Sequence, residues 1–105
     1  MVSRMVFTKA GPANEIAKGS MLGVELDGKK IVISNQDGVF YAIGSVCTHM
    51  RCDLSSGEME GERVTCPCHG STFNLRTGEV VHGPARTPEP SFKVKVENGE
   101  LMVDL

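Results

Sequence analysis

At 105 residues the chain has the length of one domain, spanning 1–105. Eleven Lys and Arg against thirteen Asp and Glu leave a net charge of −2, which implies no basic face and argues against a nucleic-acid partner. No apolar run has the length of a signal peptide or a membrane anchor, so a cytoplasmic protein without an anchor is expected.

Taken in order, the elements are short strands. Met5 to Lys9 reads as the first, and Gly11-Pro12-Ala13-Asn14-Glu15 as a turn able to hold a brief helical turn. Met21 to Leu26 is a strand ending at Asp27-Gly28, a hairpin signal. Lys30 to Ser34 follows, rich in β-branched residues, and Gln36-Asp37-Gly38 turns into Val39 to Ile43. Glu58 to Cys66 is a hairpin with Gly61 at its tip. Thr72 to Leu75, the turn Arg76-Thr77-Gly78 and Glu79 to Val81 make the next. Gly83 to Pro90 carries three prolines and reads as loop. Phe92, Val94 and Val96 alternate with charged residues, Asn98-Gly99 is a type I′ turn, and Leu101, Val103 and Leu105 alternate back. No helix of core length, repeat or linker is present. Such spacing predicts an all-β fold, a small antiparallel β-sandwich or barrel.

Two loops carry the chemistry. Cys47-Thr48-His49-Met50-Arg51-Cys52 and Cys66-Pro67-Cys68-His69-Gly70-Ser71 each offer one Cys–His pair, in the pattern C-x-H-x16-C-x-x-H. This pattern resembles the Rieske proteins, and the resemblance covers nearly the whole chain. It implies one [2Fe–2S] cluster per chain, with the thiolates of Cys47 and Cys66 on one iron and the imidazoles of His49 and His69 on the other. Within the second loop Cys66 is preferred over Cys68, because Cys68 and His69 are neighbours whose side chains diverge in an extended stretch. Two thiolates and two neutral imidazoles leave the oxidised centre near zero charge. Adding an electron there costs less than adding it to an anion. Rieske potentials accordingly run from about −150 to +300 mV, against about −400 mV for plant-type ferredoxins. Ionisation of the second imidazole nitrogen would make the potential fall with pH, by up to about 59 mV per unit for a one-electron, one-proton couple.

The plainer reading of four Cys and the two motif His is a zinc-stapled interaction module. Zinc sites pair two Cys or two His within one loop. Here each loop holds one of each, which argues against zinc.

The same resemblance implies further roles. The C-T-H-x-x-C and C-P-C-H-G-S patterns belong to high-potential Rieske proteins, which place a disulfide between the positions of Cys52 and Cys68. The alternative is two reduced buried thiols, since cytosolic disulfides are rare. Ser71 matches the serine that donates to a bridging sulfide. The tyrosine that donates to a cysteine sulfur is replaced by Phe73, so a potential between those of oxygenase-type ferredoxins and respiratory Rieske centres is expected. Gly70 and Gly57 sit at tight turns, with N–H groups able to face the sulfides. Gly83-Pro84-Ala85 resembles the proline loop that covers the cluster, so Ser71, Gly70 and Pro84 are read as tuning residues.

Met50 reads as either docking tip or gap-filler, His82 as a surface or loop histidine outside the motif, and Glu58 to Glu62 as a solvated tip that could steer a basic partner. A cluster-binding subdomain over approximately residues 45–84 is expected, with no second iron domain. The chain reads as an electron-transfer protein and not an enzyme. It would be a monomeric Rieske-type ferredoxin serving redox partner proteins, a reductase and an acceptor such as an oxygenase. The alternative is a small electron-transfer subunit of a larger oxidoreductase complex.

Overall fold

A computed structural model describes residues 7–46, 52–68, 70–83 and 87–104. Its strands are β1 (Phe7–Pro12), β2 (Ser20–Leu26), β3 (Lys29–Gln36), β4 (Val39–Gly44), β5 (Glu58–Glu60), β6 (Arg63–Thr65), β7 (Thr72–Asn74), β8 (Val80–His82), β9 (Ser91–Glu97) and β10 (Glu100–Asp104). Two short 3-10 turns interrupt them, Ala13–Glu15 and Leu54–Ser56. All pairings are antiparallel, in a six-stranded sheet of order β1-β10-β9-β4-β3-β2 and a four-stranded sheet of order β5-β6-β7-β8. The expected all-β architecture is what forms.

Turn chemistry sets the hairpins. Asp27-Gly28, Asp37-Gly38 and Asn98-Gly99 all hold positive φ at both positions, the geometry whose twist matches the flanking strands. The first strand differs from expectation at its far end: it runs past Lys9 through Gly11 to Pro12, while its expected start at Met5 lies outside the described residues. A bulge between Lys9 and Gly11 leaves Ala10 unpaired against β10, and Gly11, at φ 133°, lets pairing resume through Gly11↔Leu101 to Pro12↔Glu100. Proline is tolerated because β1 lies at the sheet edge.

Strand β3 is buried on both faces. Ile31 and Ile33 enter a cluster with Ile16, Ala42, Leu101 and Val103. Leu101 and Val103 lie on β10, separated from β3 by two strands in the sheet, so the six-stranded sheet curls to enclose this core. Val32, pointing the other way, joins Ile43, Leu54, Val64, Cys66, Phe73 and Leu75. This second cluster seats the four-stranded sheet against the larger one. Among the described residues, no helix is long and apolar enough to cross a membrane.

Candidate metal centre

The second core cluster ends in a sulfur. Cys66 is 2 % exposed, follows β6 directly and packs with Leu54, Val64 and Phe73. Its backbone N–H donates to the Ser71 carbonyl at 2.7 Å, and the Gly70 N–H donates to the Cys66 carbonyl at 3.1 Å. Residues 66–71 are therefore closed at their base by the backbone itself. Gly70 makes the return with φ 79°, a conformation that favours glycine. Ser71 is fully buried beside this base. An open cavity of about 440 Å³ is lined by Ser56, Gly57, Glu58, Thr65, Cys66, Pro67 and Gly70.

A disulfide joins Cys52 to Cys68, with a Cα–Cα distance of 6.4 Å. The sulfurs of Cys52, Cys66 and Cys68 lie within 4.8 Å of one another. Two of the three are consumed by the bridge. Cys66 is the free thiol among the described residues. Cys47, His49, Met50, His69 and Pro84, all singled out from the sequence, lie outside the described residues.

The N–H groups of Gly57 and Gly70 donate to the carbonyls of Leu54 and Cys66, backbone bonds that close the two turns. Gly57 has an ordinary φ of −87°; glycine is needed there because a Cβ would strike the Thr65 carbonyl. His82 is exposed at the end of β8, a surface position as expected. In the acidic run, Glu62 lies 3.5 Å from Arg76, an exposed ion pair at the hairpin tip.

Sequence reading passed over the residues at the base of the first loop. Asp53 accepts hydrogen bonds from the Ser45 hydroxyl and from the Ser55 N–H and hydroxyl, the last two at 3.0 and 2.7 Å. Partial burial pushes the Asp53 carboxyl up. The Ser45 and Ser55 hydrogen bonds and the nearby Lys30 charge outweigh this, so it titrates below the usual aspartate value. The available signal was Asp53-Leu54-Ser55, an aspartate N-cap before a one-turn helix.

The Rieske [2Fe-2S] domain family matches residues 6–96. The chain belongs to this family. A Rieske-type chain 34% identical over 92 residues, 88% of each, is the ferredoxin component of a naphthalene 1,2-dioxygenase system of Pseudomonas putida. A biphenyl dioxygenase ferredoxin subunit of Pseudomonas sp. (strain KKS102) is 37% identical over 101 residues, 95% of this chain and 93% of its own. A chain in a solved complex of reduced oxygenase and oxidised ferredoxin of carbazole 1,9a-dioxygenase superposes with TM-score 0.89 at 30% identity, covering 96% of this chain and 94% of that one. This Rieske protein is accordingly an electron carrier whose cofactor is a [2Fe–2S] cluster. The described residues suit that cofactor. A buried free thiol faces an open cavity, and the neighbouring cysteines are tied into a bridge and withdrawn from competition for iron.

Proposed function

We propose that this Rieske-type ferredoxin shuttles single electrons between a reductase and an acceptor such as an oxygenase, as a cytoplasmic monomer. The observation that carries the reading is the buried free Cys66 thiol at the end of β6, beside a bridge linking the two motif loops. Cys47 and Cys66 would hold one iron and His49 and His69 the other, within a cluster-binding subdomain of about residues 45–84 in a single domain. When bound, the cluster supplies a one-electron couple whose potential its histidine ligands raise above that of an all-thiolate centre.

The protein's part is to hold four ligands and set their surroundings. Core packing of Leu54, Val64 and Phe73 keeps water from the Cys66 sulfur on its inner side. The Cys52–Cys68 bridge ties the ligand loops to each other. The Ser71 hydroxyl, on a fully buried residue, would donate toward a bridging sulfide and favour the reduced state. Gly70 would act by shaping the turn, and Pro84 by covering the cluster. His49 and His69 would each keep a proton on the outer ring nitrogen, and its loss on oxidation makes the potential fall with pH.

The test is EPR of the dithionite-reduced protein with iron and labile-sulfide analysis. A Rieske-type signal, with an average g below that of all-cysteine clusters and two irons per chain, is expected. An all-cysteine signal would require Cys52 and Cys68 as ligands and overturn the assignment. Complex formation and electron delivery to a purified Rieske oxygenase, followed by stopped-flow absorbance, test the acceptor.

A further inference from the structure

The first ligand loop has a neck, and one carboxylate oxygen gathers the bonds that close it. Val46 and Asp53 form an isolated antiparallel bridge. The Leu54 N–H donates to the Ser45 carbonyl at 2.6 Å. Asp53 Oδ1 receives the Ser45 hydroxyl, the Ser55 hydroxyl and the Ser55 N–H. Ser45 is 1 % exposed, and its N–H donates to the Lys30 carbonyl of β3 at 3.0 Å. A hydroxyl that deep needs an acceptor, and Asp53 provides it. On the far side Leu54 is fully buried in the cluster that also holds Cys66.

We propose that Asp53 is the positioning residue of the first ligand loop, its carboxylate locking Ser45 to Ser55 so that the segment bearing Cys47 and His49 leaves and re-enters the fold at a fixed neck. This inference rests on the ligand assignment given above. The disulfide fixes the segment at Cys52, next to Asp53, but leaves its start free. The chain entering the loop meets the chain leaving it at the Ser45–Asp53 contact. Fixing both ends removes conformational freedom that the loop would otherwise use to release a ligand. The charge matters because hydrogen bonds to an ionised acceptor are about twice as strong as neutral ones.

The test uses the purified, cluster-loaded full chain with three substitutions: Asp53→Ala, Asp53→Asn and Ser45→Ala. Iron transfer to a chelator is timed by loss of visible absorbance, and EPR of the reduced protein is recorded. Asp53→Ala is expected to release iron roughly tenfold faster or more, the factor for one hydrogen bond to a charged group. Its EPR signal should broaden as ligand orientation becomes less uniform. Asp53→Asn keeps an acceptor oxygen and should rescue both readouts to within about threefold of the unsubstituted chain. Ser45→Ala should also accelerate release; it keeps the carboxylate and carries the test if Asp53→Ala does not fold. Unchanged release and EPR in Asp53→Ala, or in Ser45→Ala alone, would overturn the clamp. So would equal effects of Asn and Ala, which would point to charge alone. An unsubstituted chain without iron would instead overturn the ligand assignment, and the clamp with it.

Discussion

The backbone N–H of Cys66 points at the carbonyl of Ser71, 2.7 Å away, so the second motif loop is shut at its base before any metal is considered. The first loop has the matching bond, from the Leu54 N–H to the Ser45 carbonyl at 2.6 Å. Both necks abut the same buried cluster through Cys66 and Leu54. The fold therefore presents two preformed stems, and the disulfide joins the segments that rise from them.

Gly57 and Gly70 should respond differently to alanine. At Gly70 a methyl group meets open space but must adopt φ 79°, a left-handed conformation costing about 1–2 kcal/mol. At Gly57 the backbone is relaxed, but the methyl group would strike the Thr65 carbonyl and push the Leu54–Ser56 turn off β6. Overpacking of that kind costs about 1–3 kcal/mol. Gly57→Ala should also disturb the cavity beside Cys66. Urea unfolding together with iron content checks the pair: Gly57→Ala should lose iron, while Gly70→Ala should mainly lose stability.

Replacing Cys52 or Cys68 by Ser opens a bridge between residues 16 apart. The chain-entropy model gives about 3 kcal/mol for a loop of that size. The expected outcome is a protein that still binds two irons but has a lower unfolding midpoint and sheds its cluster faster. Complete absence of iron in the Cys52→Ser protein would mean that Cys52 is a ligand. Cys66→Ser removes the buried free thiol and should abolish the Rieske-type EPR signal.

Phe73 is fully buried and shares its cluster with Cys66. Phe73→Tyr brings a hydroxyl into that core. A bond from it to a cysteine sulfur would stabilise the more negative reduced centre, so the midpoint potential should rise. Protein-film voltammetry measures this directly; a fall or no change would refute the effect. A hydroxyl that found no acceptor would instead lower stability by about 1–3 kcal/mol, visible in the unfolding midpoint.

Asp53 gives a pH prediction. Its folded pKa lies below the ordinary value of 3.8, so it binds protons more weakly in the folded chain than in the unfolded one. Its contribution to stability is therefore complete above about 3.8 and is lost as pH falls through the lower folded value. Lys30 and Glu25, which line the same cavity, share the environment. The difference in unfolding free energy between the unsubstituted chain and Asp53→Asn should be constant near neutral pH and shrink in acid. A gap that widens as pH falls would contradict the sign. Asp53 is solvent-exposed on one side, so the effect should be modest.

What the sequence settled by itself is local. The alternation of Phe92, Val94 and Val96 and the Asn98-Gly99 turn specify the last hairpin, because strand period and turn geometry involve only neighbouring residues. Ile31-Val32-Ile33 marked a strand through its β-branched residues, and the two Cys–His loops pointed to the Rieske family through residue type and spacing alone. The tertiary structure decided the rest. Strand β1 reaches Pro12 because β10, far along the chain, provides a partner there. Gly57 is glycine because of a carbonyl eight residues away, not because of its own backbone angles. Asp53 looks like an ordinary cap in the sequence. It becomes the closure of a loop neck only when the buried hydroxyl of Ser45 is brought against it, since a hydrogen bond across a loop exists only once packing has brought both ends together.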